Sequence, residues 1–287
     1  MNVQSPPVDS AQHERRVLQF RIMTFNVKFA SEEGEHKWSE RRPVLKNAIL
    51  SEDPDLIGTQ EVLFHQLQHI CADLPGYDWI GLGRAGGSRS EFMAIFYRPQ
   101  RFEPIAYDHF WLSDTPDVIA SRTWGHDSPR MVTWALFREK GTGIESYHWN
   151  SHLDNQSEAA RQRSADLLMS RLRSTEPSRP AVVTGDFNAD QGSITHQKMI
   201  APLEGKVNLT DAWDEAEVQD GSQVSTCHGW RGPNDSEQRI DWVLMSSEFR
   251  CRRAKVVTYQ EQDRYPSDHF PVVCDLELEQ RVLVEGR

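Results

Sequence analysis

Long apolar runs are missing from this 287-residue chain, so a membrane-spanning helix, which needs about 20 such residues, is not expected. Positive charge is also in deficit: 32 Lys and Arg stand against 43 Asp and Glu, a formal net charge of −11. That balance weighs against a protein built to grip duplex nucleic acid, although bound metal ions and a local arginine cluster can supply positive field in an acidic protein. Cysteine is scarce and scattered. Cys71, Cys227, Cys251 and Cys274 show no CxxC spacing, which speaks against a disulfide framework or a zinc site and for reduced, mostly packed thiols. The first dozen residues carry no basic-then-apolar leader, so no secretory signal is expected and a cytoplasmic location follows. What remains is a chain that is 38% hydrophobic, enough for a large core. The expected organisation is a leader at 1–16, a single domain at 17–280 and a tail at 281–287.

The most informative stretch runs Val182-Val183-Thr184-Gly185-Asp186-Phe187-Asn188. An apolar β-branched pair followed by Gly, Asp and Asn reads as a buried strand with an acidic tip. Asp186 and Asn188, two residues apart, would project from one side. Taken alone, a turn is the better reading. The weight comes from other strand ends that carry groups of the same kind.

A strand from Val17 to Phe25 ends at Asn26, with Lys28 two residues on. A helix follows over Trp38–Leu50, with Arg41 and Arg42 on its polar side. Pro54–Gly58 enters a second strand that closes with Thr59-Gln60-Glu61, ahead of an amphipathic helix over Val62–Leu74. Glu61 is therefore either a helix-start charge or a metal ligand, and by itself the cap reading is favoured. Short strands are expected at Tyr77–Gly83 and Met93–Tyr97. The segment from Phe110 to Arg130 has no clear period and gathers Trp111, Arg122, Trp124, His126 and Arg130. Such a loop either holds a base or sugar beside a phosphate, with Trp124 as the platform, or tucks its tryptophans into the core. A hairpin over Met131–Phe137 and Glu145–Trp149 leads to His152. A charged helix spans Ser157–Arg171, and Gln191–Asp220 reads as a looser region. Asp241 enters one further strand, and Asp268-His269 precede the last.

Eight polar groups thus sit at junctions between apolar strands and loops: Asn26, Glu61, His152, Asp186, Asn188, Asp241, Asp268 and His269. Turns alone do not call for this mixture of carboxylate, amide and imidazole. The blocks Thr24-Phe25-Asn26, Gln60-Glu61, His152-Leu153-Asp154, Gly185-Asp186-Phe187-Asn188, Arg239-Ile240-Asp241 and Ser267-Asp268-His269 occur in the order found in the endonuclease/exonuclease/phosphatase superfamily. The chain resembles that superfamily from about Val17 to Leu276. It is most similar to a bacterial branch that carries Gly81-Leu82-Gly83-Arg84, Phe110 to Pro116 and Cys227-His228-Gly229-Trp230 and that is related to the deadenylase group, including the helix arginines Arg161 and Arg163.

The resemblance implies a four-layer α/β sandwich of two packed, mostly antiparallel β-sheets flanked by helices. It implies a phosphoesterase dependent on Mg²⁺ or Mn²⁺, with Glu61 as main ligand helped by Asn26 and Asp268. Asp186 would orient or deprotonate the attacking water, Asn188 would hold it, and His269 paired with Asp241 would be a base or a donor. His152 would donate to a phosphate oxygen. Arg130 is the candidate further phosphate contact from the loop. Lys28 replaces the acidic residue of many nuclease members, implying one dominant metal site or a direct phosphate contact. The expected substrate is a phosphodiester in nucleic acid or nucleotide, single-stranded rather than duplex, with a small or lipid-linked phosphate as the alternative. A monomer without a stable protein partner is expected.

Overall fold

The computed structural model describes residues 13–221, 223–234, 236 and 238–283. Thirteen strands and four helices are found among them. The first sheet has the order β10-β12-β13-β1-β2-β4-β3. Its long members are β1 (His13–Asn26), β12 (Phe249–Val256) and β13 (Val272–Leu283). It is completed by β2 (Leu56–Gln60), β3 (Asp78–Ile80), β4 (Ile95–Tyr97) and β10 (Gln219–Asp220). The second has the order β5-β6-β7-β8-β11-β9, built from β5 (Phe102–Trp111), β6 (Met131–Glu139), β7 (Glu145–His152), β8 (Ala181–Asp186), β9 (Leu209–Asp211) and β11 (Asp241–Ser246). Most pairings are antiparallel; β1 with β2, β7 with β8 and β10 with β12 are parallel.

Alternation along β1 explains the layering. Leu18, Phe20 and Ile22 point into a core shared with Phe137, Val182 and Val243 of the other sheet. Met23, Phe25 and Val27 point the other way, onto Trp38, Leu45 and Ile49 of α1 (Trp38–Glu52) and Leu67 and Ile70 of α2 (Phe64–Asp73). On the far side, Leu168 and Leu172 of α3 (Glu158–Ser174) and Met199 of α4 (Ile194–Ile200) cover Trp149, Val183 and Trp242. A period of two thus sends successive side chains of one strand into different layers, and the four-layer expectation holds.

The sheets meet through a polar seam as well as an apolar one. Gln60 Nε2 donates to Asn150 Oδ1 at 2.8 Å, and Asn150 Nδ2 donates to the carbonyls of Thr59 and Ala94 at 2.8 and 3.0 Å. Gly58 permits this approach: a Cβ there would stand 2.0 Å from Thr184 Oγ1 and 2.7 Å from Asn150 Oδ1.

Several local expectations are revised. β1 starts at His13 rather than Val17, and β13 runs to Leu283; the rest of the expected leader (1–12) and tail (284–287) lies outside the described residues. The run before Phe110 forms the ten-residue β5, and the looser region contains α4, β9 and β10. Arg41 does not lie on the polar side of α1; it is 2% exposed. It follows Trp38 by three residues and precedes Leu45 by four, so helical geometry places it on the buried face despite its charge.

Candidate active site

Strand direction brings the junction residues together. β1 and β2 run parallel, as do β7 and β8, while β11 and β13 run antiparallel to β8 and β1. The C-terminal ends of the first four and the N-terminal ends of the last two therefore share one edge of the sandwich. There the register sets Asp186 opposite both His152 and Asp241, and Asn26 opposite Gln60. A cavity of about 430 Å³ opens at this edge.

Eight of the eleven expected site residues line it: Lys28, Glu61, Arg130, His152, Asp186, Asn188, Asp268 and His269. Asn26 and Asp241 lie immediately behind, fully buried. Trp124 does not reach the wall. Its Nε1 donates to Asp114 Oδ1 at 2.8 Å and its ring packs beside the α3 core, while Trp111 is buried with Nε1 on the Arg84 carbonyl at 2.8 Å. Packing thus claims both tryptophans. Arg161 and Arg163 are also engaged elsewhere: Arg161 holds the Asp154 carbonyl at 2.9 Å, and Arg163 lies over the Trp124 ring.

Glu61 is not a helix cap. The turn into α2 is closed by Gln66, whose Oε1 accepts from the Leu63 N–H at 3.0 Å, which leaves Glu61 at φ 60° to face the cavity. Lys28 (φ 57°) and Asn188 (φ 48°) are also left-handed, each a conformation that costs about 1–2 kcal/mol in a non-glycine residue. All three line the cavity, where strained backbone serves to aim side chains.

On one wall the ammonium of Lys28 stands 3.6 Å from Glu61 Oε2 and 3.2 Å from Asp268 Oδ2. Burial opposes its charge, but the two carboxylates outweigh burial and raise its pKa. Asn26 Nδ2 donates to Glu61 Oε1 at 3.0 Å and to Asp186 Oδ2 at 2.9 Å, while its Oδ1 accepts from the Lys28 N–H at 3.0 Å. That last bond fixes the amide's orientation. As oriented, Asn26 aligns two carboxylates and does not present its oxygen between them.

At the centre, His269 Nδ1 is 2.9 Å from Asp241 Oδ2, and its Nε2 is 3.8 Å from Asp186 Oδ2. Burial disfavours its charged form, yet Asp241 and Asp186 hold its pKa well above the ordinary value. The Asp186 pKa is raised as well, but there burial is the cause. Burial, with Asp241 adding repulsion, raises it to about 7 against the pull of His269. His152 Nε2 lies 3.5 Å from Asp186 Oδ2, and burial together with Arg130 and Arg84 pushes its pKa well down, so it is neutral at pH 7. Asn188 donates its backbone N–H to Asp186 Oδ1 at 3.0 Å and its Nδ2 to the Leu153 carbonyl at 3.1 Å.

The opposite wall carries Arg84 and Arg130. Arg84 Nη2 meets Glu91 Oε1 at 2.6 Å. Arg130 Nη2 donates to Asn155 Oδ1 at 3.0 Å, and its Nε is 3.6 Å from Asp154 Oδ1. Arg130 Nε and Nη1, His152 Nδ1 and Asp241 Oδ1 are buried without a hydrogen-bond partner. Arg84, Glu91, Asp154 and Cys227 are lining residues that were given no role from the sequence. Asp154, Arg84 and Cys227 fell within recognised blocks; Glu91 carried no strand-end signal pointing to a wall position.

One ligand atom each of Glu61, His152 and Asp186 lie within 4.8 Å of one another, as do those of Asp186, Asp241 and His269. The site therefore gathers oxygen and imidazole donors able to hold a metal ion, next to guanidinium groups able to hold an anion.

This geometry agrees with the comparisons. The profile of the Endonuclease/Exonuclease/phosphatase family matches residues 23–269, and the chain belongs to that family, whose members are hydrolases acting on phosphoester bonds and generally depend on a divalent metal. Its fold is that of a mannosyl-6-phosphatase from Bacteroides thetaiotaomicron (33% identity, TM-score 0.83, 90% of this chain and 99% of that one). It is also similar to an uncharacterised protein of Acanthamoeba polyphaga mimivirus, 32% identical over 54% of this chain. Nocturnin of Xenopus laevis is 25% identical over 89%. The chain spans 60% of the length of the mimivirus protein and 72% of the frog one.

Proposed function

We propose that the chain is a divalent-metal-dependent hydrolase of small phosphate esters that uses an activated water and forms no covalent intermediate. The observation that carries this reading is the division of charge across the cavity. One wall has two carboxylates around a single ammonium, a place short of positive charge. The other has two guanidinium groups, Arg84 set against Glu91 and Arg130 against Asp154, and Arg130 Nε and Nη1 make no hydrogen bond there, which leaves donors for an anion. A phosphate ester with its cation fits between them.

The carboxylates of Glu61 and Asp268 suit Mg²⁺ or Mn²⁺, and the ammonium they already share supports a cation at that point. When bound, such an ion supplies Lewis-acid polarisation of a phosphoryl oxygen. The chain's own residues do the rest. Arg130 donates Nε–H and Nη1–H to phosphate oxygens, and neutral His152 adds one ring N–H. His269, held charged by Asp241, starts as a proton donor and faces the phosphoryl or leaving oxygen. Asp186, its basicity raised by burial and by the neighbouring Asp241, is the group able to take the proton of the attacking water. Asn188 fixes its second oxygen.

A nucleic-acid or nucleotide substrate, favoured on the sequence, remains the second reading, supported by Phe29, 42% exposed at the cavity mouth, where a base can stack. It ranks second because Trp124, the expected platform, is committed to packing and Phe29 is the sole apolar aromatic ring on the described wall. The relative with mannosyl-6-phosphatase activity in its name also supports a small ester.

The deciding experiment offers purified protein, with Mn²⁺ or Mg²⁺, a panel of sugar phosphates, nucleotides, inositol phosphates, single-stranded RNA and DNA, and a phospholipid head group. The Asp186→Ala variant serves as blank. Phosphate release from sugar phosphates, absent from the blank, is expected. Cleavage of polynucleotide alone would hand the case to the second reading.

A further inference from the structure

Arg41 belongs to neither the charged walls nor the surface, yet its surroundings tie two loops of the cavity edge together. Its guanidinium has five N–H donors, and each meets a backbone carbonyl. Nε donates to His36 O at 3.0 Å. Nη1 donates to Val27 O at 2.9 Å and Pro266 O at 2.7 Å. Nη2 donates to Lys28 O at 3.2 Å and Phe29 O at 3.3 Å. The acceptors come from the loop after β1, from the residue two before α1, and from the loop before β13. Trp38 and Trp230 lie on the cation at 5.4 and 5.3 Å, and His36 stacks on Trp230 at 3.9 Å.

No carboxylate forms a salt bridge with this cation among the described residues. Burial lowers its pKa to about 10, with the charges of Asp268 and Glu61 opposing that fall. A buried charge held by carbonyls is costly to keep for packing alone, since an apolar side chain would fill the space. What the arginine adds is geometry. A planar fork with fixed donor directions holds three segments at set separations, which a flexible ammonium cannot do. Its carbonyl partners include the backbone of Lys28, whose ammonium lies between Glu61 and Asp268, and of Pro266, two residues before Asp268. Ser267 completes the tie, its Oγ donating to Asn26 O at 2.6 Å.

We propose that Arg41 is a positioning residue: it holds the Val27–Phe29 and Pro266–His269 loops in register, so that Glu61, Asp268 and His269 converge on one point. The assignment rests on the phosphate-ester reading of that same site. It touches neither substrate nor reacting atoms. Because Arg130 and His152 stand on other elements, loss of Arg41 disturbs the cation and proton-transfer groups more than the phosphate-binding wall.

The test compares wild type, Arg41→Lys, Arg41→Met and, as a control one residue along the same helix, Arg42→Met, whose side chain pairs with Asp73. Mn²⁺ affinity is measured by calorimetry without substrate, kcat and KM are measured on the preferred ester, and folding is followed by thermal melting. Arg41→Lys should melt within roughly 5 °C of wild type. It should bind Mn²⁺ about 10- to 100-fold more weakly, as expected when an outer support of a metal site is lost. Its kcat should fall about 100-fold while KM stays within about threefold. Arg42→Met should match wild type throughout. The proposal is overturned by a folded Arg41→Lys with wild-type Mn²⁺ affinity and kcat, by equal losses in Arg42→Met, or by loss of cooperative melting in both Arg41 variants, which would assign the residue to stability alone. Wild type that binds Mn²⁺ but hydrolyses nothing would remove the functional reading and leave Arg41 to be judged on affinity. Wild type that binds no Mn²⁺ removes both.

Discussion

Two buried clusters of this fold each set aspartate against histidine and behave in opposite ways. In one, His196 Nε2 meets Asp211 Oδ2 at 3.2 Å and Arg239 Nη1 meets the same oxygen at 3.3 Å. His196 Nδ1 accepts from the Gly192 N–H, and Asp211 Oδ1 from the Trp213 N–H. In the other, Asp186 sits among Asp241, His152 and His269, with His152 Nδ1 and Asp241 Oδ1 left without partners. Both aspartates are at most 2% exposed. Burial raises each, but at Asp211 the His196 hydrogen bond and the Arg239 charge more than offset it, and its pKa falls. At Asp186 burial and Asp241 win, and its pKa rises to about 7. Composition does not separate a structural ion cluster from a reactive one; saturation of hydrogen bonds and net charge within the cluster do.

The sharpest way to break this contrast is to remove each aspartate. Asp186→Ala should lower kcat/KM by about 1,000-fold or more with melting unchanged or raised, because it deletes a base and a carboxylate that burial disfavours. Asp211→Ala should do the reverse, costing about 3–5 kcal/mol by stranding His196 and Arg239, with kcat of the folded fraction near wild type. Equal effects from both on activity and melting would erase the distinction.

Next in size is Arg130→Met, whose unpartnered donors are assigned to the phosphate. It should reduce kcat/KM about 100-fold, and a loss below about threefold would remove Arg130 from the phosphate site. Chelation of divalent metal should abolish turnover, and Mn²⁺ at 100 times its dissociation constant should stabilise the fold by about 2.7 kcal/mol; turnover that survives exhaustive chelation would contradict the assigned cation.

The pH profile tests the proton roles. A base must be deprotonated to act, and burial with the charge of Asp241 raises the Asp186 pKa to about 7. Activity should therefore fall about tenfold per unit as pH drops below that value, with a bound cation moving this limb lower. His269, raised well above its usual range, should lose its proton only in alkali, giving a second fall there. A flat profile to pH 5 at saturating metal would count against Asp186 as base. The smallest effect belongs to Trp124→Ala, under about threefold on KM for a small ester; a tenfold rise for an oligonucleotide would restore the stacking reading.

Much of the site was legible before any coordinates. Asn26, Glu61, His152, Asp186, Asp241 and His269 stand out because an apolar strand that ends in a carboxylate, amide or imidazole breaks the pattern of ordinary turns, and chain order supplied the family. Trp124 was left open between platform and packing, and Arg41 was misread, for one reason. Both were judged by side-chain chemistry, an aromatic as a platform and an arginine as a surface charge, whereas the partners that claim them are remote in sequence: Arg163 across α3 for the first, the Pro266 carbonyl for the second. The short strands β9 and β10 escaped notice because two or three residues carry too little periodicity to register.

Local sequence by itself determined the strands, the amphipathic faces and the identity of the reacting groups, since those depend on periodicity and side-chain chemistry within a few residues. Only the tertiary structure decided which charges are answered and which are left open. That depends on the parallel and antiparallel directions that bring six strand ends to one edge, on the burial that raises the Asp186 pKa, and on the aspartates that raise His269 against burial.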